Sequence, residues 1–151
     1  NDIYLNDAKL GGILIELGHK NPQSPIWAII GIGLNIHPIS EPIDSAYAIG
    51  WLDQAALPNK KAVDCNELWQ TLSKHLLLVI DSFCKGGHYF DPLQWNEFHI
   101  FEQKEVMIME DSKVLQSGKV VGVNTMGVLM LETPIGIQEV YSGNVSLRVP
   151  K

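Results

Sequence analysis

Arginine is nearly absent from this sequence, because Arg148 is the only one among 151 residues. The chain therefore contains no arginine-rich loop that could fold over phosphate groups. Acidic residues outnumber lysine and arginine by 17 to 11, and the formal net charge is −6. This negative balance argues against a protein that bulk charge holds to nucleic acid. It fits a soluble globular protein that handles a small molecule or another protein.

Cysteine is also scarce, and long hydrophobic runs are missing. Cys65 and Cys84 form no Cys-x-x-Cys pair, so we expect free thiols in a reducing compartment, the cytoplasm. The longest apolar stretches, at 26–36 and 76–80, fall short of the roughly 20 residues that a membrane helix needs. No secretory signal is visible. The chain opens without Met on a strand-like run, which suggests a piece of a longer protein.

The first third of the chain is predicted to form strands. Residues 3–5 lead to the turn-forming pair Asn6-Asp7, and nearly continuous apolar runs follow at 10–17 and 26–36. A polar loop at 18–25 separates these runs. Such runs suit strands that are covered on both faces, as in a layered α/β domain. The segment 46–57 is ambiguous, and we expect a loop with a short helical turn.

Two helices are predicted in the middle of the chain. Asp64 and Glu67 have the spacing of a capping box, and Gly86-Gly87 supplies a stop signal. An apolar stripe follows the capping box at helical spacing: Leu68, Leu72, Leu76, Val79 and Phe83. Asp91-Pro92 then offers an N-cap and a first-turn proline for a short second helix.

From about Glu105 the hydrophobic period changes to two. Short strands are predicted at 106–109, 114–123, 128–132 and 137–141, with turn residues between them. Strands this short at such spacing suggest a small barrel. We place the domain boundary near Gln103.

Several residues near the N-terminus can be interpreted either as structural or as functional. Gly11-Gly12 inside an apolar strand indicates either a ligand lying against the backbone or a close strand crossing. The Gly31-x-Gly33 pair poses the same question and is weak as a dinucleotide motif, because a third glycine is missing. Lys9 is either solvated or placed to meet a phosphate or carboxylate. Asp2 either caps a turn or holds Mg²⁺.

Three segments, in order along the chain, resemble the signature of biotin protein ligases. They are residues 1–16 (NDIYLNDAKLGGILIE), 31–36 (GIGLNI) and 142–148 (SGNVSLR). The family motifs are Lys-Trp-Pro-Asn-Asp leading to Lys-x-x-Gly-Ile-Leu-x-Glu, then Gly-x-Gly-x-Asn, then Gly-Glu-x-Ser-Leu-Arg. The resemblance implies that 1–103 is the C-terminal portion of an α+β or layered α/β catalytic domain, a mixed sheet with helices. It also implies that 104–151 is a small SH3-like β-barrel.

The resemblance implies a role for each matching residue. Lys9 would be catalytic, contacting the biotin carboxylate and the α-phosphate, while Asp2 would lie near the adenylate and Mg²⁺. The remaining matches divide into biotin-binding positions (Gly12, Leu14 and Gly31) and nucleotide-binding positions (Asn1, Asp2, Asn35 and Arg148). Asn35 would read the adenine edge.

The implied activity is ATP-dependent biotinylation through biotinyl-5′-AMP, with ATP and Mg²⁺ required. The implied partners are biotin and the biotin carboxyl carrier domain of acetyl-CoA carboxylase, and the enzyme would form a homodimer. Two departures matter: the family's arginine-rich loop is absent, and Asn144 stands where many members carry Glu. We therefore expect these 151 residues to be inactive alone.

Two alternatives stay open. Some biotin protein ligases carry a helix-turn-helix upstream and act as biotin-sensing repressors, in which case DNA would be a partner. A barrel in the last third could instead be a non-catalytic nucleic-acid-binding module. Five bases balance five acids from Lys104 onward, and this balance disfavours the binding module. The five histidines show no metal-ligand spacing.

Overall fold

The structure is a computed structural model that describes residues 1–40, 48–55, 62–86, 90–111, 113–141 and 146–150. Its contacts divide the chain into two units, Asn1–Ser73 and Lys74–Lys151. The division falls inside a helix and does not test the predicted boundary near Gln103, which stays a prediction. Helices and strands alternate with loops in a mixed α+β fold. No helix in the described ranges is long and apolar enough to cross a membrane.

The first unit contains a three-stranded antiparallel sheet in the order β1-β2-β3. Its strands are β1 (Asp2–Leu5), β2 (Ala8–Gly18) and β3 (Trp27–Leu34). The predicted turn at Asn6-Asp7 is confirmed, because both residues have positive φ, at 50° and 62°. Two successive residues of this kind make the tight hairpin whose twist matches the flanking strands.

The β2–β3 pair runs without interruption from Gly11 opposite Leu34 to Gly18 opposite Trp27. The apolar runs predict that other elements pack on both faces of β2 and β3, and such packing is not found within the described residues. Leu14 and Ile15 point to opposite faces, and their exposed fractions are 61% and 58%. The expectation is not confirmed for this part of the chain, because no described α-helix lies wholly within this unit to pack on the sheet.

The segment Ala48–Gln54, which we name the strap, returns the chain to β2. Ile49 makes a parallel bridge to Lys9, so the sheet is locally mixed. A 3₁₀ turn at Leu52–Gln54 confirms the expected short helical turn. A Cβ on Gly50 would lie 3.1 Å from the Ala8 carbonyl oxygen, so glycine allows the strap to approach the strand this closely.

The predicted long helix is confirmed as α1 (Cys65–Cys84). The Asp64 carboxylate accepts hydrogen bonds from the backbone N–H groups of Asn66 and Glu67, at 2.8 and 3.2 Å. No residue of α1 is buried. In its predicted apolar stripe Leu68, Leu72 and Leu76 are partly buried, whereas Val79 and Phe83 are exposed. Both cysteines are free thiols, as expected.

The second unit contains α2 (Pro92–Phe98) and a five-stranded antiparallel sheet. The Asp91 side chain accepts a hydrogen bond from the Leu93 N–H at 2.9 Å, which confirms the predicted N-cap. The strands lie in the order β7-β6-β5-β4-β8. Their bounds are β4 (Glu105–Glu110), β5 (Lys113–Val123), β6 (Leu129–Thr133), β7 (Gly136–Val140) and β8 (Ser146–Arg148).

This sheet carries a compact core of four side chains, Val106, Ile108, Val120 and Leu131. Val106 and Ile108 are two residues apart on β4 and therefore share a face. Among the described residues, the sheet ends in β7 on one side and β8 on the other, so the predicted closure into a barrel is not confirmed.

Candidate functional site

A cleft of about 470 Å³ lies on the three-stranded sheet of the first unit. Nine residues line it: Asn1, Asp2, Lys9, Gly12, Ile13, Leu14, Gly31, Ile32 and Gly33. Six of these were singled out from the sequence as binding or catalytic residues. The structure therefore brings most of the predicted site together in one place.

The floor of the cleft is made of backbone. Gly12 lies opposite Gly33, and Leu14 lies opposite Gly31, so three of four neighbouring positions carry no side chain. A Cβ built on Gly33 would meet no heavy atom within 4 Å, and one on Gly31 would meet only the Leu14 carbonyl oxygen, at 3.9 Å. A side chain here would occupy the cleft itself, so the glycines leave room for a flat ligand.

Gly11 has a different function from its neighbour Gly12. A Cβ on Gly11 would lie 2.2 Å from the Gly33 carbonyl oxygen, a distance that real Cβ atoms do not reach. Gly11 is therefore required for the close approach of β2 to β3. The close strand crossing is therefore confirmed for Gly11, and a ligand lying against the backbone of Gly12 stays a prediction.

A β-bulge aims Lys9 into the cleft. The register of β1 and β2 steps from Ile3 opposite Gly11 to Tyr4 opposite Lys9, so β2 contains one extra residue, Leu10. In a regular strand, residues 9 and 12 would face opposite sides of the sheet. The extra residue reverses the alternation, so Lys9 and Gly12 face the same cleft.

Asp2 holds the Lys9 ammonium at the edge of the cleft. The Lys9 Nζ to Asp2 Oδ1 distance is 2.8 Å, and each side chain is about one-third exposed, at 34% and 32%. Asp2 lies opposite Gly12 on the neighbouring strand, where its carboxylate borders the glycine floor. The pair provides a cation and an anion beside a surface open to a ligand.

Asn1 and Asn35 both make structural hydrogen bonds at this site. The Asn1 carbonyl oxygen accepts from the Ile13 N–H at 2.7 Å. The Asn35 side chain donates from Nδ2 to the Lys9 carbonyl oxygen at 3.2 Å. Asn35 does not line the cleft, and its predicted contact with adenine stays a prediction.

Arg148 belongs to the second unit. It lies in β8 opposite Met107, and its guanidinium donates to the Leu147 carbonyl oxygen at 3.2 Å. Its predicted nucleotide contact stays a prediction. Asn144, and with it the question of a missing Glu, lies outside the described residues.

The site offers limited ligands for a metal ion. The described residues contain no group of three or more His, Cys, Asp or Glu side chains that could hold one. Among the described residues that line the cleft, Asp2 is the one carboxylate. A single carboxylate suits Mg²⁺ only where substrate phosphates and water supply most of the ligands.

The sequence assignment missed Gly33. Its role is visible only once Gly33 is known to lie opposite Gly12 and two residues from Gly31 on the same face. The Gly-x-Gly spacing was the available signal, because residues two apart in a strand share a face.

Comparisons with known proteins agree on one family. Residues 104–148 match the family model described as biotin protein ligase C terminal domain. The Bifunctional ligase/repressor BirA of Escherichia coli is 30% identical over 150 residues, and its Bacillus subtilis counterpart is 29% identical over 153 residues. These matches cover 98% and 97% of this chain but 44% of each relative, so the chain spans less than half of their length.

Solved structures show the same likeness. The apo biotin protein ligase from Aquifex aeolicus superposes with a TM-score of 0.78 at 25% identity, covering 99% of this chain and 63% of that one. The Aquifex aeolicus enzyme in complex with biotin and ATP gives a TM-score of 0.77 at 25% identity, covering 99% of this chain and 60% of that one.

Proposed function

Because this chain is homologous to the C-terminal portion of biotin protein ligases, we propose that its protein attaches biotin to a carrier-protein lysine. The cleft carries this proposal, since it combines the Lys9 ammonium with the backbone floor of Gly12, Gly31 and Gly33. A flat apolar ring system fits a floor without side chains. A carboxylate or phosphate group of the same ligand fits the ammonium.

The reaction takes two steps. The biotin carboxylate attacks the α-phosphorus of ATP, which forms a carboxyl–phosphate bond and releases pyrophosphate. The amine of the carrier lysine then attacks the acyl carbon of biotinyl-5′-AMP, loses a proton, and releases AMP. No nucleophile from the protein is needed, so the work of the site is to position the reactants and to neutralise charge.

Lys9 is the residue that we assign to charge neutralisation. Negative charge builds up on the phosphoryl oxygens as the carboxylate attacks, and an ammonium beside them stabilises that charge. Asp2 holds Lys9 in place before the ligand arrives, because the two side chains already form an ion pair at 2.8 Å. Gly12, Gly31 and Leu14 would lie along biotin.

The nucleotide would extend from Lys9 toward Asn1, Asp2 and Asn35. ATP is a substrate named in the complex of the Aquifex aeolicus ligase. The single cleft carboxylate, Asp2, would supply the protein ligand of a Mg²⁺ ion that the phosphates otherwise hold. Arg148 would contact the nucleotide, and residues 104–151 would form a small SH3-like barrel.

We place the enzyme in the cytoplasm as a homodimer whose protein substrate is the biotin carboxyl carrier domain of acetyl-CoA carboxylase. The relatives' names also contain the word repressor. No described residue of this chain favours a DNA-binding role over the ligase role, so the ligase is the function that we propose.

The test replaces Lys9 with alanine in the full-length protein and follows adenylate formation as biotin-dependent release of pyrophosphate. Removing one preorganised charge-stabilising group commonly costs 10²–10³-fold in rate, so we expect a loss of about 100-fold or more. Lys20→Ala, at an exposed loop lysine, is the matched control and should retain full activity. A Lys9→Ala protein with undiminished activity would refute the proposal.

A further inference from the structure

The Lys9 backbone is held by groups that the proposed reaction does not use. Its N–H donates to the Ala48 carbonyl oxygen at 2.8 Å, and its carbonyl oxygen accepts from the Gly50 N–H at 2.9 Å. The same carbonyl also accepts from Asn35 Nδ2 at 3.2 Å. The strap and the end of β3 therefore fix the position from which the Lys9 side chain enters the cleft.

The strap is in turn attached to the end of β3. The Leu52 N–H donates to the Asn35 carbonyl oxygen at 2.8 Å, and the Asp53 N–H donates to the Ile36 carbonyl oxygen at 3.1 Å. These bonds place the Asp53 side chain beside His37. The distance from His37 Nδ1 to Asp53 Oδ2 is 2.6 Å, so this pair joins the strap to the segment that follows β3.

Asp53 is a charged anchor. The hydrogen bond from His37 lowers the pKa of its carboxyl below the ordinary value, and the N–H of Val63, 3.2 Å from Oδ1, adds to the effect. A carboxylate only accepts hydrogen bonds, so His37 must carry a proton on Nδ1. The bond is therefore charge-assisted and stronger than a neutral one.

We propose that His37 and Asp53 are a positioning pair for the catalytic lysine. They hold the strap against the segment that follows β3, and the strap holds the Lys9 backbone at the bulge that aims its side chain. The pair touches neither biotin nor ATP in this scheme, and it acts only through Lys9. This inference rests on the proposed function, because it assumes that Lys9 is the charge-stabilising group.

The effect of the pair should appear in the turnover number. A small displacement of a reacting group can cost up to about 10²-fold in rate while binding is kept. We expect His37→Ala in the full-length protein to lower kcat for adenylate formation about 10-fold and to change KM for biotin less than about 2-fold. His37→Asn should keep most of the activity, because its Nδ2 can donate to Asp53 from the position of Nδ1.

The matched control is His19→Ala, at an exposed histidine in the loop between β2 and β3. Its kcat should equal that of the parent protein. Asp53→Asn is a second variant that keeps an acceptor for the Val63 N–H while it removes the charge, and it should resemble His37→Ala. If His37→Ala and Asp53→Asn both fold and both keep full kcat, the inference is overturned.

A double-mutant cycle separates positioning from a general effect on stability. If His37 acts through Lys9, adding His37→Ala to Lys9→Ala should cause no further loss of the residual rate. If the rate loss of the double variant equals the product of the two single losses, the pair does not act through Lys9. A parallel fall in kcat and in the folded fraction, measured by circular dichroism, would likewise overturn the positioning role.

The two proposals fail in different ways. A fully active Lys9→Ala protein would overturn the proposed role of the cleft, and the inference about His37 would fall with it. An impaired Lys9→Ala protein together with a fully active His37→Ala protein would overturn the inference alone.

Discussion

The two units of this chain bury their apolar side chains to very different extents. In the second unit Val106, Val120 and Leu131 have exposed fractions of 0%. In the first unit Leu10 is the one buried hydrophobic side chain among the described residues, whereas Leu14 and Leu17 are exposed by 61% and 69%. Within the described residues of this chain, which spans less than half the length of its relatives, the second unit has a core of its own and the first does not.

The two sheets also differ in the side chains that their faces carry. A core needs interlocking side chains on the inner face of the sheet, which β4, β5 and β6 supply. The first sheet has glycine at positions 12, 31 and 33, which leaves its face open for a ligand. The positions that make the cleft are therefore lost to packing.

The largest expected effect is on the free energy of unfolding, when a buried leucine of the core rather than an exposed leucine is replaced by alanine. Leu131→Ala removes a fully buried side chain and should lower the free energy of unfolding by about 2–5 kcal/mol. Leu17→Ala removes a side chain that is mostly exposed and should change it by less than about 0.5 kcal/mol. Urea denaturation followed by circular dichroism measures both, and equal losses would contradict the contrast.

The second prediction separates two glycines of the first sheet. Gly33→Leu should lower the affinity of the full-length protein for biotinyl-5′-AMP about 100-fold, or about 2.7 kcal/mol, by filling the cleft, because a Cβ at this position meets no heavy atom within 4 Å. Gly11→Ala should instead destabilise the β2–β3 pair, because its Cβ would overlap the Gly33 carbonyl oxygen. Titration calorimetry and thermal melting distinguish them. Unchanged affinity in a folded Gly33→Leu protein would exclude the glycine floor as the ligand surface.

A smaller effect is expected at the start of α2. Asp91→Ala removes the acceptor for the Leu93 N–H and should cost about 1 kcal/mol of stability. Asp81→Ala breaks an exposed ion pair with Lys85 and serves as the control, because exposed pairs of this kind contribute little. Chemical denaturation should rank Asp91→Ala as the more harmful change, and the reverse order would show that the cap is not stabilising.

The last prediction concerns acidification: the stability of the two units should decrease in different ranges of pH. Desolvation lowers the pKa of His99 in the folded second unit below its ordinary value of 6.5, against a smaller opposing effect of Glu102. Below pH 6.5 the unfolded chain therefore binds a proton at His99 that the folded chain does not bind. The free energy of unfolding thus decreases as the pH is lowered from 6.5 to the pKa of the folded state.

Asp53 of the first unit behaves differently. Its pKa is lowered from 3.8, so the stability that it contributes is lost only as the pH falls below that value. Acidification from pH 7 to 5 should thus weaken the second unit, and His99→Phe should remove that dependence. Hydrogen exchange resolved by unit measures both effects, and a His99→Phe protein with an unchanged pH dependence would contradict the assignment.

Sequence reasoning located most of the site because its residues are close together along the chain. Lys9, Gly12 and Leu14 fall in one motif, and Gly31 falls in a second motif on the strand that pairs with it. The helix α1 was also predictable, since its cap at Asp64 and its apolar period are both local signals.

Other features depend on contacts between distant residues, which leave no local pattern. The bulge at Leu10 appears only in the register of β1 against β2. The bridge from Lys9 to Ile49 joins residues 40 positions apart, in a segment whose own sequence was ambiguous. The expected packing of other elements on both faces of β2 and β3 is not found within the described residues, because an apolar strand does not specify which element packs on it.

The most direct test of the central claim is a crystal structure of the full-length protein with biotinyl-5′-AMP. The account predicts that the biotin rings lie on the backbone of Gly12, Gly31 and Gly33, with the Lys9 ammonium about 2.8 Å from an oxygen of the acyl phosphate. A ligand bound elsewhere, or a Lys9 side chain still paired with Asp2 and remote from the phosphate, would contradict it.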